Sequence, residues 1–365
     1  MRLRIFFALL LLSTLSLIPK ELKIEHQLSL RTYFIEDQRI FWSGLERSFG
    51  VEGKLTLDFL KIKEKRGLFS TLEIFLNQPY GKNILTDDER KKYVESFKVD
   101  TFEISRLTIG YKTKRFTIKF GKDYSPFGKI HYPIFFNNYR FASPFIRSEA
   151  ILLRETGIFL SYNPSFISID LAIVNGEEDR DTNSFKAGII RLGLNFPFFK
   201  LGVSLKAHDG IGSEQQKVYK NYLGADLFIK INKISLSGEF IYDQYGFHKE
   251  FDDSEIFWPT SFYYRDVFYK YNTPIEGMGG YLNLKIGENN NLLNLSYGEY
   301  HPQKIGNPYH DQNIKRFILK GSKKLNKYLL LFITGIIEDE REFKEPWRKG
   351  EKGYAFSFGM EFNYE

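Results

Sequence analysis

Very little in this chain is suited to covalent chemistry. It has no cysteine, which excludes thiol nucleophiles, disulfides and thiolate metal ligands. Its six histidines, at 26, 131, 208, 248, 301 and 310, lack metal-site spacing, and there is no Gly-x-Ser-x-Gly elbow or phosphate-binding loop. What the sequence offers instead is fixed charge. Lys119, Lys122, Lys129, Arg140 and Arg147 fall in or beside one segment, and Arg191 follows further on. Arginine presents a fork of donors that suits phosphate or carboxylate, while lysine acts as a point charge. Such a cluster attracts and binds anions. The alternative is that these bases pair with Asp123, Glu149 and neighbouring acids.

The segment that carries most of these bases, 124–148, is strongly apolar and aromatic, unlike an ordinary water-exposed loop. Its apolar side chains need a surface to cover. Folded into a cavity, it would narrow that cavity and place Lys129, Arg140 and Arg147 beside Lys119 and Lys122 as a constriction.

The elements around it supply the cavity. Sixteen stretches alternate apolar and polar residues: 22–35, 48–63, 67–78, 100–112, 115–123, 149–162, 165–175, 185–196, 199–207, 220–231, 234–244, 276–287, 291–300, 313–323, 327–338 and 352–364. A period of two gives each strand one apolar and one polar face. The connections alternate as well. Tight turns rich in Asn, Pro and Lys, such as 163–164, 197–198 and 232–233, alternate with long connections such as 79–99, 124–148 and 245–275. An even strand count, with every long connection at one end, predicts an all-β transmembrane up-and-down barrel with both termini at the short-turn end. In the stretch 100–112 the alternation slips near Arg106, which a β-bulge would absorb.

The polar faces fix what the barrel encloses. Lys119, Asp170, Arg191, Lys200, Lys206, Asp226, Lys230, Glu239, Lys285, Arg316, Lys320 and Glu361 fall on the inferred inner side. Charges of this number cannot be buried dry, so the reading is a water-filled lumen, for which a barrel of about sixteen strands is wide enough.

Composition agrees. Aromatics make up 17% of the 365 residues, as strands and membrane interfaces favour. No run after the N-terminus reaches the length of a membrane-spanning helix. The formal charge is +7, a mild basic bias compatible with an anion channel or a nucleic-acid binder. Residues 1–20 read as a secretory signal, with Arg2 and Arg4 before the apolar run Ile5–Leu12 and cleavage near 16–20. The alternative there is a short membrane anchor. Export argues against a nucleic-acid partner and leaves 21–365 as one barrel domain in the bacterial outer membrane.

Two stretches carry a resemblance. The run Phe116-Thr-Ile-Lys-Phe-Gly-Lys-Asp-Tyr-Ser-Pro-Phe-Gly128 resembles the strand and Gly-x-x-x-x-Pro-Phe-Gly start of the third loop in the phosphate-selective porin O/P family. The runs Arg154-Glu-Thr-Gly-Ile158 and Ala172-Ile-Val-Asn-Gly176, then Asp179, Asp181, Asn183 and Arg191, are similar to that family's next strands. The resemblance covers about residues 100–195. It implies a sixteen-stranded, trimeric porin constricted by its third loop, with no cofactor, passing small hydrophilic solutes and phosphate or other anions. At the C-terminus, Gly353, Phe356, Phe358, Phe362 and Tyr364 lie in a strand that resembles the signal read by the barrel assembly machinery. Glu365 follows Tyr364, where that signal usually ends in an aromatic.

Three functions follow in order of support. The first is a passive porin of the outer membrane, embedded in its lipid. The second is a structural or partner-binding barrel whose lumen the aromatic loop plugs. The third, a barrel phospholipase or protease, would need a histidine paired with a nucleophile on the wall, whereas the histidines fall mostly in loops or near strand ends. In the loop 245–275, Trp258 with Phe257, Phe262, Tyr263 and Tyr264 could stack on a ring, and Asp252, Asp253 and Glu255 could hold calcium. Loop packing and a solvated acidic run explain them more simply.

Overall fold

A computed structural model describes residues 23–38, 45–63, 66–78, 102–128, 154–176, 186–211, 217–247, 275–288, 291–303, 314–340 and 352–364. Strands account for nearly all of them: β1 (Lys23–Gln38), β2 (Leu45–Lys63), β3 (Arg66–Gln78), β4 (Phe102–Lys112), β5 (Phe116–Tyr124), β6 (Arg154–Tyr162), β7 (Ile167–Val174), β8 (Ala187–Asn195), β9 (Phe199–Ala207), β10 (Asp209–Ile211), β11 (Lys217–Ile231), β12 (Ile234–Phe247), β13 (Ile275–Glu288), β14 (Asn291–Gln303), β15 (Ile314–Lys324), β16 (Leu329–Glu340) and β17 (Lys352–Tyr364). Both β9 and β10 pair with β11 in one continuous register, so they are two pieces of a single stave, and the wall has sixteen. All pairings are antiparallel between chain neighbours, and β1 closes the ring against β17, from Leu28↔Tyr364 to Gln38↔Tyr354. All sixteen expected strands are present, with ends shifted by a few residues.

The turns follow from their residues. Asn232 and Lys233 join β11 to β12 in two residues, and Asn232 takes a left-handed φ of 51° that asparagine tolerates. The slip near Arg106 is a bulge. Glu73 pairs with Arg106 but Ile74 pairs with Ile104, so Ser105 is the extra residue. As a result Ser105 and Arg106 both face inward, while Ile104 and Leu107 face out.

The outer face is a belt of Leu, Ile, Phe and Tyr. Ile109 and Ile173 are 59% and 61% exposed, and Tyr354, Phe356, Phe358, Met360, Phe362 and Tyr364 all point outward from β17. A surface this apolar around a closed ring is stable in hydrocarbon, where the ring also leaves no unpaired edge. Aromatics gather near the short-turn end, where Tyr328 packs on Tyr364 and Phe362, and His26 stacks on Tyr364. The last strand's expected pattern holds, with Gly353 inward and its aromatics outward.

Candidate inner-wall site

Where β5 ends, the chain turns into the barrel. Ser125 Oγ donates to Glu155 Oε2 at 3.0 Å, and Lys206 Nζ donates to Glu155 Oε1 at 2.8 Å. The Gly128 N–H donates to Ser204 Oγ on β9 at 2.9 Å, with Gly128 at a left-handed φ of 67°. Phe127 packs edge-on against Tyr222 of β11, and the bare backbone of Gly224 makes room for its ring; a Cβ there would lie 2.7 Å from Phe127 Cζ. A chain leaving β5 reaches β9 and β11 only across the interior, so this turn lies in the lumen. Phe127, Phe159, Ile189, Tyr222 and Ile241 are buried apolar side chains of this inner wall, with Phe159, Ala172, Ile189, Lys206 and Tyr222 in one register row; the sequence reading placed only charged residues there. Lys129, Arg140, Arg147 and the rest of 129–148 lie outside the described residues, as do residues 1–22 and the Trp258 loop.

From β2 to β11 the inner wall is a web of ion pairs. Asp123 accepts from Lys119 and from Arg106 Nε at 2.8 Å. Glu73 lies 3.5 Å from Lys54 and 3.8 Å from Arg106, and accepts from Ser105 at 2.6 Å and Tyr124 at 3.0 Å. Arg191 donates to Asp226 through two nitrogens, at 2.6 and 2.9 Å, with Asp170 at 3.8 Å. Gly202 on β9 makes this pair possible, because a Cβ there would sit 2.2 Å from Arg191 Nη2 and 2.3 Å from Asp226 Oδ2. Glu239 of β12 stands beside Gly128.

Three expectations are thereby revised. Lys119 and Arg191 face inward, but each is held by carboxylates rather than open to a solute. Lys122 pairs with Leu107 and Thr156, on the face of Phe120, so alternation sets it on the side opposite Lys119. The inner charges do not all need water either. Arg191, Lys206, Asp226 and Arg316 are nearly fully buried because each lies in a short ion pair, Arg316 with Glu338 at 2.6 Å.

The wall from β11 to β17 is built differently. One register row runs Lys230↔Ser235↔Lys285↔Asn294↔Lys320↔Thr334↔Ser357 across consecutive strands, all on the inner face. It holds three lysines, spaced by short polar residues, and no acid. Among the described residues none of the three forms an ion pair. The charges that act on Lys320 are Arg31, Glu361 and Lys285, two bases to one acid. At about 4.8 Å per strand the row is roughly 29 Å long. Because barrel strands tilt by about 35–45°, it climbs from the Asn232 turn to the middle of β17. Lys200, on β9, adds a further base at the short-turn end, with its ammonium 5.6 Å from the Phe228 ring. Alternation placed these lysines on the inner face; their alignment into one row depends on register, which sequence spacing does not carry.

No family model matches the chain, and no relative is found among characterised proteins. Among solved structures it is similar to an anion-selective porin from Comamonas acidovorans, at TM-score 0.65 and 11% identity over 94% of this chain and 100% of that one. It is also similar to OmpF of Salmonella typhi in complex with daunomycin, at 0.63 and 9% over 94% and 98%. The outer membrane channel DcaP of Acinetobacter baumannii follows at 0.61 and 11%, over 94% and 97%. At these identities the likeness shows the fold: a closed sixteen-stranded barrel of the kind found in the bacterial outer membrane.

Proposed function

We propose that this barrel is an outer-membrane porin through which small hydrophilic solutes diffuse, with a preference for anions. The observation that carries the reading is the acid-free row of Lys230, Lys285 and Lys320 on one side of the lumen. Fixed positive charge along a wall raises the local anion concentration and lowers that of cations. Alternating lysines with Ser, Asn and Thr gives a passing anion donors at every step along the wall. Phosphate, with several acceptor oxygens, suits such a row best. The segment 129–148, which follows the inward turn at Phe127, narrows the pore in this reading, with Lys129, Arg140 and Arg147 at the constriction. Residues 1–20 act as the export signal, the strand from Gly353 to Tyr364 is read by the assembly machinery, and the barrels associate as trimers.

The test is the reversal potential across a planar bilayer holding the purified protein in a KCl gradient, followed by phosphate titration. Anion-selective current that phosphate blocks supports the reading. Unselective or cation-selective current overturns the anion preference and keeps the porin. Absence of current favours a second reading, a plugged and partner-binding barrel, to which the buried apolar side chains of this inner wall lend their weight.

A further inference from the structure

The outer belt has a notch. On β15, Gly321 stands in register between Leu293 of β14 and Ile333 of β16, all on the lipid-facing side. Its flanking neighbours carry full side chains, whereas a Cβ at Gly321 would meet only Ile333 Cγ2, at 3.2 Å. The result is a groove of about 500 Å³ whose outward walls are Ile286, Leu293, Leu331 and Ile333, with Gly321 as its floor. Lys323 closes the end nearer the short turns, flanked in register by Asn291 and Leu331. Lys323 has no ion-pair partner among the described residues. Lys324 and Lys327 follow at the adjoining turn.

We propose that this groove seats one acyl chain of an anionic glycerophospholipid, with its phosphate on Lys323. The shape suits a single hydrocarbon chain. The floor is one strand wide, and the walls stand on strands about 9.6 Å apart, twice the interstrand spacing. The charge suits a single phosphate, because the apolar slot ends in an exposed, unpaired lysine at headgroup depth, where basic side chains recognise lipid phosphate. The Lys323 end of the groove lies toward the short turns, which in an outer-membrane barrel meet the phospholipid leaflet. A second copy of the chain is a poorer occupant, since a stable protein contact covers about 800 Å² per partner and calls for a far broader surface than this slot. The site lies outside the pore and does not depend on which solute passes through it.

The experiment is native mass spectrometry of the detergent-purified barrel titrated with phosphatidylglycerol or phosphatidylcholine. The wild type is expected to retain one phosphatidylglycerol per chain at energies that strip the remaining lipid. Gly321→Leu fills the slot with carbon equivalent to several methylenes and should weaken that retention about tenfold. Lys323→Gln leaves the slot intact and should cut the preference for phosphatidylglycerol over phosphatidylcholine by about fivefold. If Gly321→Leu does not fold, Lys323→Gln still decides the matter. Equal retention in wild type and variants overturns the proposal. So does a change in oligomeric state in Gly321→Leu with lipid retention unaltered, which would make the notch a subunit contact.

Discussion

The two sides of the lumen differ in how their lysines are held, although β15 and β16 on the second side also bury one ion pair, Arg316 with Glu338. From β2 to β9, cations lie against carboxylates: Lys119 and Arg106 on Asp123, Lys206 on Glu155, and Arg191 reaching over Gly202 to Asp226 on β11. From β11 to β17, Lys230, Lys285 and Lys320 share a row with Ser, Asn and Thr alone. Both sides carry many bases, and a count of lysines and arginines would not separate them. A buried pair cancels its own field a few ångströms away, and much of its Coulomb energy is offset by the loss of water. A lysine facing the lumen with no acid beside it keeps its field. The first side therefore holds the wall and the inward turn in place, and in the proposed porin the second sets the potential that a solute meets.

Breaking a pair should give the largest effect. Arg191→Met leaves Asp226 buried and uncompensated, and a loss of about 3–5 kcal/mol is expected, read as a lower unfolding midpoint in urea. The double variant Arg191→Met/Asp226→Leu should recover most of that loss, with ion selectivity close to wild type. Next comes the row. Lys285→Glu/Lys320→Glu should reverse the sign of the reversal potential, a change of about tenfold in the chloride-to-potassium permeability ratio, with stability nearly unchanged. A conserved sign would remove the row from the permeation path. The seated turn follows. Phe127→Ala empties the pocket beside Tyr222 and Gly224, and the single-channel conductance should rise while selectivity stays fixed. A smaller effect is expected from Lys119→Gln, since Asp123 still has Arg106; its reversal potential should differ little from wild type. Raising KCl from 0.1 to 1 M shortens the screening length from about 10 to about 3 Å and should shrink the selectivity due to the row.

How much of this was legible depends on the range of the interaction. Alternation and turn composition are local, and they yield all sixteen strands, the inward and outward faces of β17, and the irregularity at Arg106 that proves to be the extra residue Ser105. The inner-wall list from Asp170 to Lys320 is likewise a matter of parity. Pairing is not local. Arg191 meets Asp226 only because β9 intervenes with a glycine at position 202, and the row joins Lys230 to Lys320 through four strand registers. Lys122 shows the opposite error. It is close in sequence to Lys119, yet it lies three positions on, an odd offset, and alternation sends the two to opposite faces. The apolar side chains of the inner wall were hidden because Phe159 and Ile189 look like any other strand residues until the turn from β5 is seen to cover that side of the wall.

The seam between β1 and β17 has a consequence in time. Ser29 Oγ donates to Asn363 Oδ1 across 334 residues of chain. Every other stave can zip onto the one made just before it, but this joint waits for the last dozen residues. Until they arrive, the sheet has two raw edges and no defined circumference. Closure is thus the step of highest contact order, and it carries the largest entropic barrier of any pairing in the molecule. Deleting 352–364 would leave a ribbon of fifteen staves with nothing to stop it from pairing with another chain, so the final strand acts as a stop signal for growth of the sheet.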